Sequence, residues 1–129
     1  MINNIHMKQT DMSPEVNFEF SENRFSLSGE SYPENATAFY TPLISAIEEH
    51  LNGIGGEPIE FKVQLSYFNS ASTKMLFNLF DRCNQHAAKG NTVVLHWIYD
   101  EEDDTILEFG NDLASDFMAL LYKPHALSN

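Results

Sequence analysis

Tyr67-Phe68-Asn69-Ser70-Ala71-Ser72-Thr73-Lys74 places three aliphatic hydroxyls within four positions, between an alternating apolar run and a helical one. A strand that ends at a helix N-terminus leaves free main-chain N–H groups and the positive end of the helix dipole beside it. Such a junction accepts an anion. A phosphoryl group on one of its hydroxyls would add about −1.5 to −2 charges and three acceptor oxygens. Ser70, Ser72 and Thr73 all offer an acceptor oxygen. The plainer reading is that Asn69, Ser70 or Ser72 simply caps the helix, a contribution of about 1 kcal/mol. Local sequence leaves both readings open.

Other chemistries find little support. The acidic run at 100–104 fails as a calcium loop, because Thr105 and Asn111 stand where glycine and glutamate are needed. It reads better as a solvated loop that suits the dipole of the next helix. The five histidines, at 6, 50, 86, 96 and 125, show no metal-ligand spacing. Cys83 falls on an apolar helix stripe and reads as a core residue. No P-loop, dinucleotide fingerprint or nucleophile elbow occurs. A small hydrolase built on the acidic loop would lack a nucleophile–base pair. No cofactor is expected.

Composition narrows the partners. The chain has 129 residues and a formal charge of −12, from 7 basic and 19 acidic side chains. Nucleic acids and anionic bilayers should be repelled, so neither is an expected partner. Protein partners with basic or apolar docking faces are compatible. A single cysteine excludes an internal disulfide and fits a reducing, cytoplasmic setting. The polar N-terminal dozen has no apolar core of a signal peptide, and no run is long enough to span a bilayer.

The elements that would position the junction follow from periodicity. Val16, Phe18, Phe20, Phe25 and Leu27 alternate around a turn at 21–23, which predicts a hairpin over 16–28. Residues 29–36, GESYPENA, break the chain, and Asn35 or a neighbour can cap the helix that follows. Phe39, Leu43, Ile47 and Leu51 form that helix's stripe. Pro42 either kinks it or starts a second helix capped by Thr41. Strict alternation over 59–67 predicts a strand. A helix over 72–89 with Met75, Leu76, Leu79, Phe80 and Cys83 inside should stop at Gly90. A strand over 92–99 and a helix striped by Ile106, Phe109, Leu113 and Phe117 come next. Residues 118–122 fit a helix end or an edge strand equally. The expected fold is one α/β domain, a mixed and mainly parallel sheet with helices mostly on one face. Its expected limits are 15–123, with a flexible arm at 1–14 and a tail at 124–129.

GESYPENA, the YFNSASTK junction and HWIYDEEDD, in that order and spacing, resemble the SiaC family of biofilm-regulation phosphoproteins. That family is similar to STAS-domain anti-sigma factor antagonists. The resemblance runs from about residue 10 to residue 120. It implies a STAS-like fold and a partner-switch cycle. A cognate serine/threonine kinase would phosphorylate the residue after the junction asparagine, here Ser70. A PP2C-type phosphatase would reverse this. The unphosphorylated form would bind and activate a GGDEF diguanylate cyclase, raising cyclic di-GMP. Ser70 stands where the family has a familiar threonine, and Ala71 where it has a second serine. On this reading Asn69, Ser72, Thr73 and Lys74 shape the phosphosite, with Ser72 still a rival acceptor. Tyr32, Pro33, Glu34 and Asn35 are expected to touch the partner, although they could equally serve only to shape the helix start. A STAS-like module that senses a small ligand at the same helix N-terminus, without covalent change, is the alternative.

Overall fold

The computed structural model describes residues 2–128. Nine main elements follow one another along the chain. They are β1 (Ile5–Met7), β2 (Glu15–Glu19), β3 (Arg24–Ser31), α1 (Ala36–Gly53), β4 (Ile59–Phe68), α2 (Ser70–Ala88), β5 (Val93–Asp100), α3 (Asp104–Asp116) and β6 (Leu121–Leu127). The six strands form one sheet in sequence order. β1, β2 and β3 pair antiparallel, and β3 through β6 pair parallel.

This order dictates where the helices go. Each crossover steps one strand in the same direction, and right-handed crossovers then put every helix on the same face. Phe61 of β4 meets Phe80 of α2, and Trp97 of β5 stacks on Phe109 of α3. Phe18, Leu27, Phe61, Leu95, Trp97, Tyr40, Ile47, Leu76, Leu79 and Leu113 are fully buried between sheet and helices. The opposite face carries Ser26, Lys62 and His96 in register across β3, β4 and β5, and no helix among the described residues covers it. β4 therefore alternates buried and exposed from Ile59 to Ser66, the pattern of a strand covered on one side.

Several expectations change. The hairpin forms, but a 3-10 turn at Phe20–Glu22 and a left-handed Asn23 make its corner. β3 runs on through Gly29 to Ser31, so the break comes two residues later than the glycine suggests. Gly29 has φ +110° and sits where the β3–β4 register slips, opposite Leu65, with the next pair Glu30 and Tyr67. This is a β-bulge that leaves Ser66 unpaired in the ladder. α1 is one helix from Ala36 to Gly53, capped by Asn35, with Pro42 inside it. α2 starts at Ser70, one half-turn earlier than the apolar pattern indicates.

The ends differ most. Residues 5–7, inside the expected flexible arm, form an edge strand on β2. The following segment is tied by Thr10 N–H to Ser13 O at 3.0 Å and Tyr32 N–H to Met12 O at 2.7 Å. Residues 118–122 are neither helix end nor edge strand alone. The helix stops at Asp116, and β6 pairs with β5 from Leu121 to Leu127, taking in most of the expected tail. The outer limits of that arm and tail, Met1 and Asn129, lie outside the described residues.

Candidate functional site

Parallel strands end on the same side of a sheet. β3 and β4 are neighbours, so their C-terminal ends bring the Ser31–Asn35 loop beside the Asn69–Lys74 turn. Asn69 N–H donates to Ser31 O at 3.1 Å, and the rings of Tyr32 and Tyr67 meet edge to face at 5.7 Å. The two sequence motifs thus form one surface. Tyr67 is half exposed there, Pro33 and Tyr32 are half-buried, and Glu34 and Asn35 are exposed.

Each helix on this edge is capped by a side chain of the residue before it. Asn35 Oδ1 accepts from Ala38 N–H at 3.0 Å, Asn69 Oδ1 from Ser72 N–H at 2.9 Å, and Asp103 Oδ1 from Ile106 N–H at 3.0 Å. The cap at the junction is therefore Asn69, which releases the serines from that duty. The acidic loop also serves locally: Asp103 caps α3, and Asp100 Oδ1 accepts from Glu102 N–H at 2.9 Å. Among the described residues, no three acidic, histidine or cysteine side chains gather as a metal site.

The three hydroxyls separate. Ser70 is exposed as the first residue of α2, with Ala71 exposed and Lys74 exposed one turn on. Thr73 is half-buried, and its Oγ1 donates back to Asn69 O at 3.0 Å. Ser72 is sealed, with 0% of its surface exposed. Ser31 donates to Ser72 Oγ at 2.9 Å. A serine hydroxyl has one proton, so the contact between Ser31 and the Tyr40 hydroxyl must run from Tyr40 to Ser31. Tyr40, Ser31 and Ser72 thus form a buried chain of hydroxyls joining α1, β3 and α2. Burial pushes the Tyr40 phenol up to about 12, so it remains a donor at neutral pH.

Sequence reasoning missed Ser31 and Tyr40. Tyr40 lies one turn before Ile44 and Leu43 on the inner side of α1, where its hydroxyl requires a partner. That signal was available. The identity of the partner, 41 positions from Ser72, was not.

Comparison with known proteins places this geometry. The family model for SiaC family regulatory phosphoproteins matches residues 7–125. An uncharacterized protein of Pseudomonas aeruginosa strain UCBPP-PA14 is 27% identical over 115 residues, spanning 89% of this chain and 90% of the relative. The crystal structure of apo-SiaC from Pseudomonas aeruginosa superposes with a TM-score of 0.89 at 26% identity, covering 97% of this chain and 100% of that one. SiaC in complex with the diguanylate cyclase SiaD, which it activates, superposes with a TM-score of 0.85 at 26% identity over 94% and 99% of the two chains. No helix among the described residues is long and apolar enough to cross a membrane. By the extent of the family match and the fold that accompanies it, the chain belongs to the SiaC family of regulatory phosphoproteins.

Proposed function

We propose that this chain is a cytoplasmic, non-enzymatic switch that activates a GGDEF diguanylate cyclase when Ser70 is unmodified. A partner-switch serine/threonine kinase transfers the γ-phosphoryl of ATP to Ser70 Oγ, releasing ADP and the hydroxyl proton. A PP2C-type phosphatase hydrolyses the ester. The observation that carries the reading is the exposure of Ser70 at the first position of α2, beside the Tyr32–Asn35 loop. A similar protein seated on a diguanylate cyclase supports the choice of partner.

The chemistry favours one acceptor. A kinase must bring the acceptor oxygen in line with the transferred phosphorus. Ser70 can be approached, whereas Ser72 would first have to leave the Ser31 contact and the core. Once attached, the dianion faces any partner that covers the α2 N-terminus. A loss of about 3 kcal/mol in affinity would reduce complex more than a hundredfold.

The test is incubation with the cognate kinase and ATP, followed by peptide mass spectrometry and cyclase pull-down. Phosphate should map to Ser70 and vanish in Ser70→Ala. The Ser70→Ala protein should capture cyclase like the wild type, and Ser70→Asp should capture far less. Phosphate that persists in Ser70→Ala, or equal capture by all three, overturns the proposal.

A further inference from the structure

His96 and His125 are 29 positions apart in the chain, yet their rings meet on the face of the sheet that no helix among the described residues covers. The register explains the meeting. His125 pairs with Ile98, two residues beyond His96, and His96 pairs with Lys62, two residues beyond Glu60. Residues two apart on a strand share a face. Glu60 of β4, His96 of β5 and His125 of β6 therefore form a diagonal across three strands. Glu60 Oε2 is hydrogen-bonded to His96 Nε2, and His96 Nδ1 faces His125 Nε2 at 3.0 Å.

Counting protons along this diagonal shows what it can tolerate. A carboxylate only accepts, so the Glu60 bond keeps a proton on His96 Nε2. Neutral His96 then has a lone pair at Nδ1, and His125 Nε2–H donates to it. One further proton can be taken up without loss of the contact. His125 can gain it at Nδ1, or His96 can become the cation and donate from its own Nδ1 to a neutral His125. A second further proton would put an N–H on both facing atoms, and the contact must open. The surroundings act on these two steps in opposite directions. Glu60 favours the first charge on His96, whereas Lys62 of β4 and Lys123 of β6, both in register with His96, oppose the second. Arg24 of β3 stands in register with Glu60, and Asp100 of β5 lies on the same face, paired with Leu127 two residues beyond His125.

The contact matters because β6 is an edge strand, exposed along nearly its whole length. Its start is tied by the Tyr122 hydroxyl, which donates to Asn111 Oδ1 at 3.0 Å. Pro124 supplies no N–H. Its far end reaches the turn before α3, where Leu127 O accepts from Glu101 N–H at 3.0 Å. We propose that Glu60, His96 and His125 form an acid-released clasp on β6, closed at neutral pH and open once both imidazoles carry charge. The sign follows from the proton count. The closed clasp binds at most one extra proton and the open one two, so acid favours opening. An unperturbed imidazole titrates near about pH 6.5, which puts release below that value. The clasp shares no residue with the Ser70 turn, so it stands or falls independently of the switch.

Ring ¹⁵N NMR and amide exchange test it, with exchange compared at pH 7.5 and pH 5 after correction for the intrinsic effect of pH. At pH 7.5, His96 should show a protonated Nε2 and an unprotonated Nδ1. His96 and His125 should titrate in two steps more than about one pH unit apart. Protection of the His125, Leu127 and Glu101 amides should fall about fivefold at pH 5, the loss of one hydrogen bond. His125→Ala changes an exposed side chain, so the fold survives. It should leave His96 titrating in one step and give the lower protection at both pH values. Global stability is a poor readout because His86 also responds to acid, whereas these signals are local. A single common step for both rings in the wild type overturns the proposal. So does protection at these amides that pH leaves unchanged, or that falls equally with pH in His125→Ala.

Discussion

A charge placed at position 70 should stabilise the isolated chain even though the chain is already strongly acidic. Ser70 is the first residue of α2, where main-chain N–H groups face solvent and the dipole is positive. Asn69 takes only the Ser72 N–H, leaving those of Ser70 and Ala71. Ser70→Asp therefore puts a carboxylate against the dipole for about 0.3–1 kcal/mol. It also stands four residues before Lys74, the favourable order for a helical ion pair, for about 0.2–0.5 kcal/mol. Repulsion from more distant acids is screened beyond about 8 Å at physiological ionic strength. The net is about 0.5–1.5 kcal/mol, or a rise in Tm of about 2–6 °C for a domain of this size. Differential scanning calorimetry at low and high salt measures it, and the gain should shrink with salt. A drop in Tm at both salt concentrations would mean that position 70 does not face an open helix end. Under the proposed switch, it would also mean that a phosphate at Ser70 would act by unfolding the turn rather than by changing what a partner meets.

Gly110→Ala should destabilise despite alanine's better helix propensity, because the new Cβ would meet Trp97 at 2.5 Å and the Tyr122 hydroxyl at 2.6 Å. The expected cost is about 1–3 kcal/mol, read from thermal unfolding with Trp97 fluorescence as the local reporter. Tyr40→Phe should cost about 1 kcal/mol in chemical denaturation, since Ser31 keeps Ser72 but loses its incoming donor. Cys83, fully buried and pushed up to about 12, should not react with a thiol reagent until denaturant is added. His86 has its pKa lowered, first by burial and then by Lys89, and its Nε2 is buried without a partner. The unfolded chain therefore takes up this proton more readily than the folded one, and His86 withdraws stability as pH falls below about 6.5. Its contribution is intact above that value. Tm measured at pH 7.5 and 5.5 should fall less in His86→Leu than in wild type.

The sequence carried the centre of the fold better than its edges, and the reason is packing. β4 alternates without exception from Ile59 to Ser66 because one face meets helices and the other meets water. The inner stripe of α2 was readable for the same reason. β1 and β6 gave no such signal. β6 is exposed along nearly its whole length and contains Pro124, which an edge strand tolerates. Its existence depends on the free side of β5, not on its own pattern. The site was legible as two motifs but not as one surface. Ser31 meets Asn69 and Ser72 only because β3 and β4 are parallel neighbours.

The difference in exposure between Ser70 and Ser72 is a matter of helical phase. Residues two apart on an α-helix project about 200° from each other, so they cannot both face solvent or both face the core. Met75, Leu76, Leu79, Phe80 and Cys83 fix which side of α2 points inward. Ser72 precedes Met75 by three residues and Leu76 by four, which puts it on that side. Ser70 is then turned outward by the same stripe. Rotating the helix to present Ser72 would expose the apolar face and break the Ser31–Ser72 bond together. Under the proposed switch, a kinase acting on the native chain would find one serine exposed at this turn, and the hydrophobic stripe of α2 sets which one.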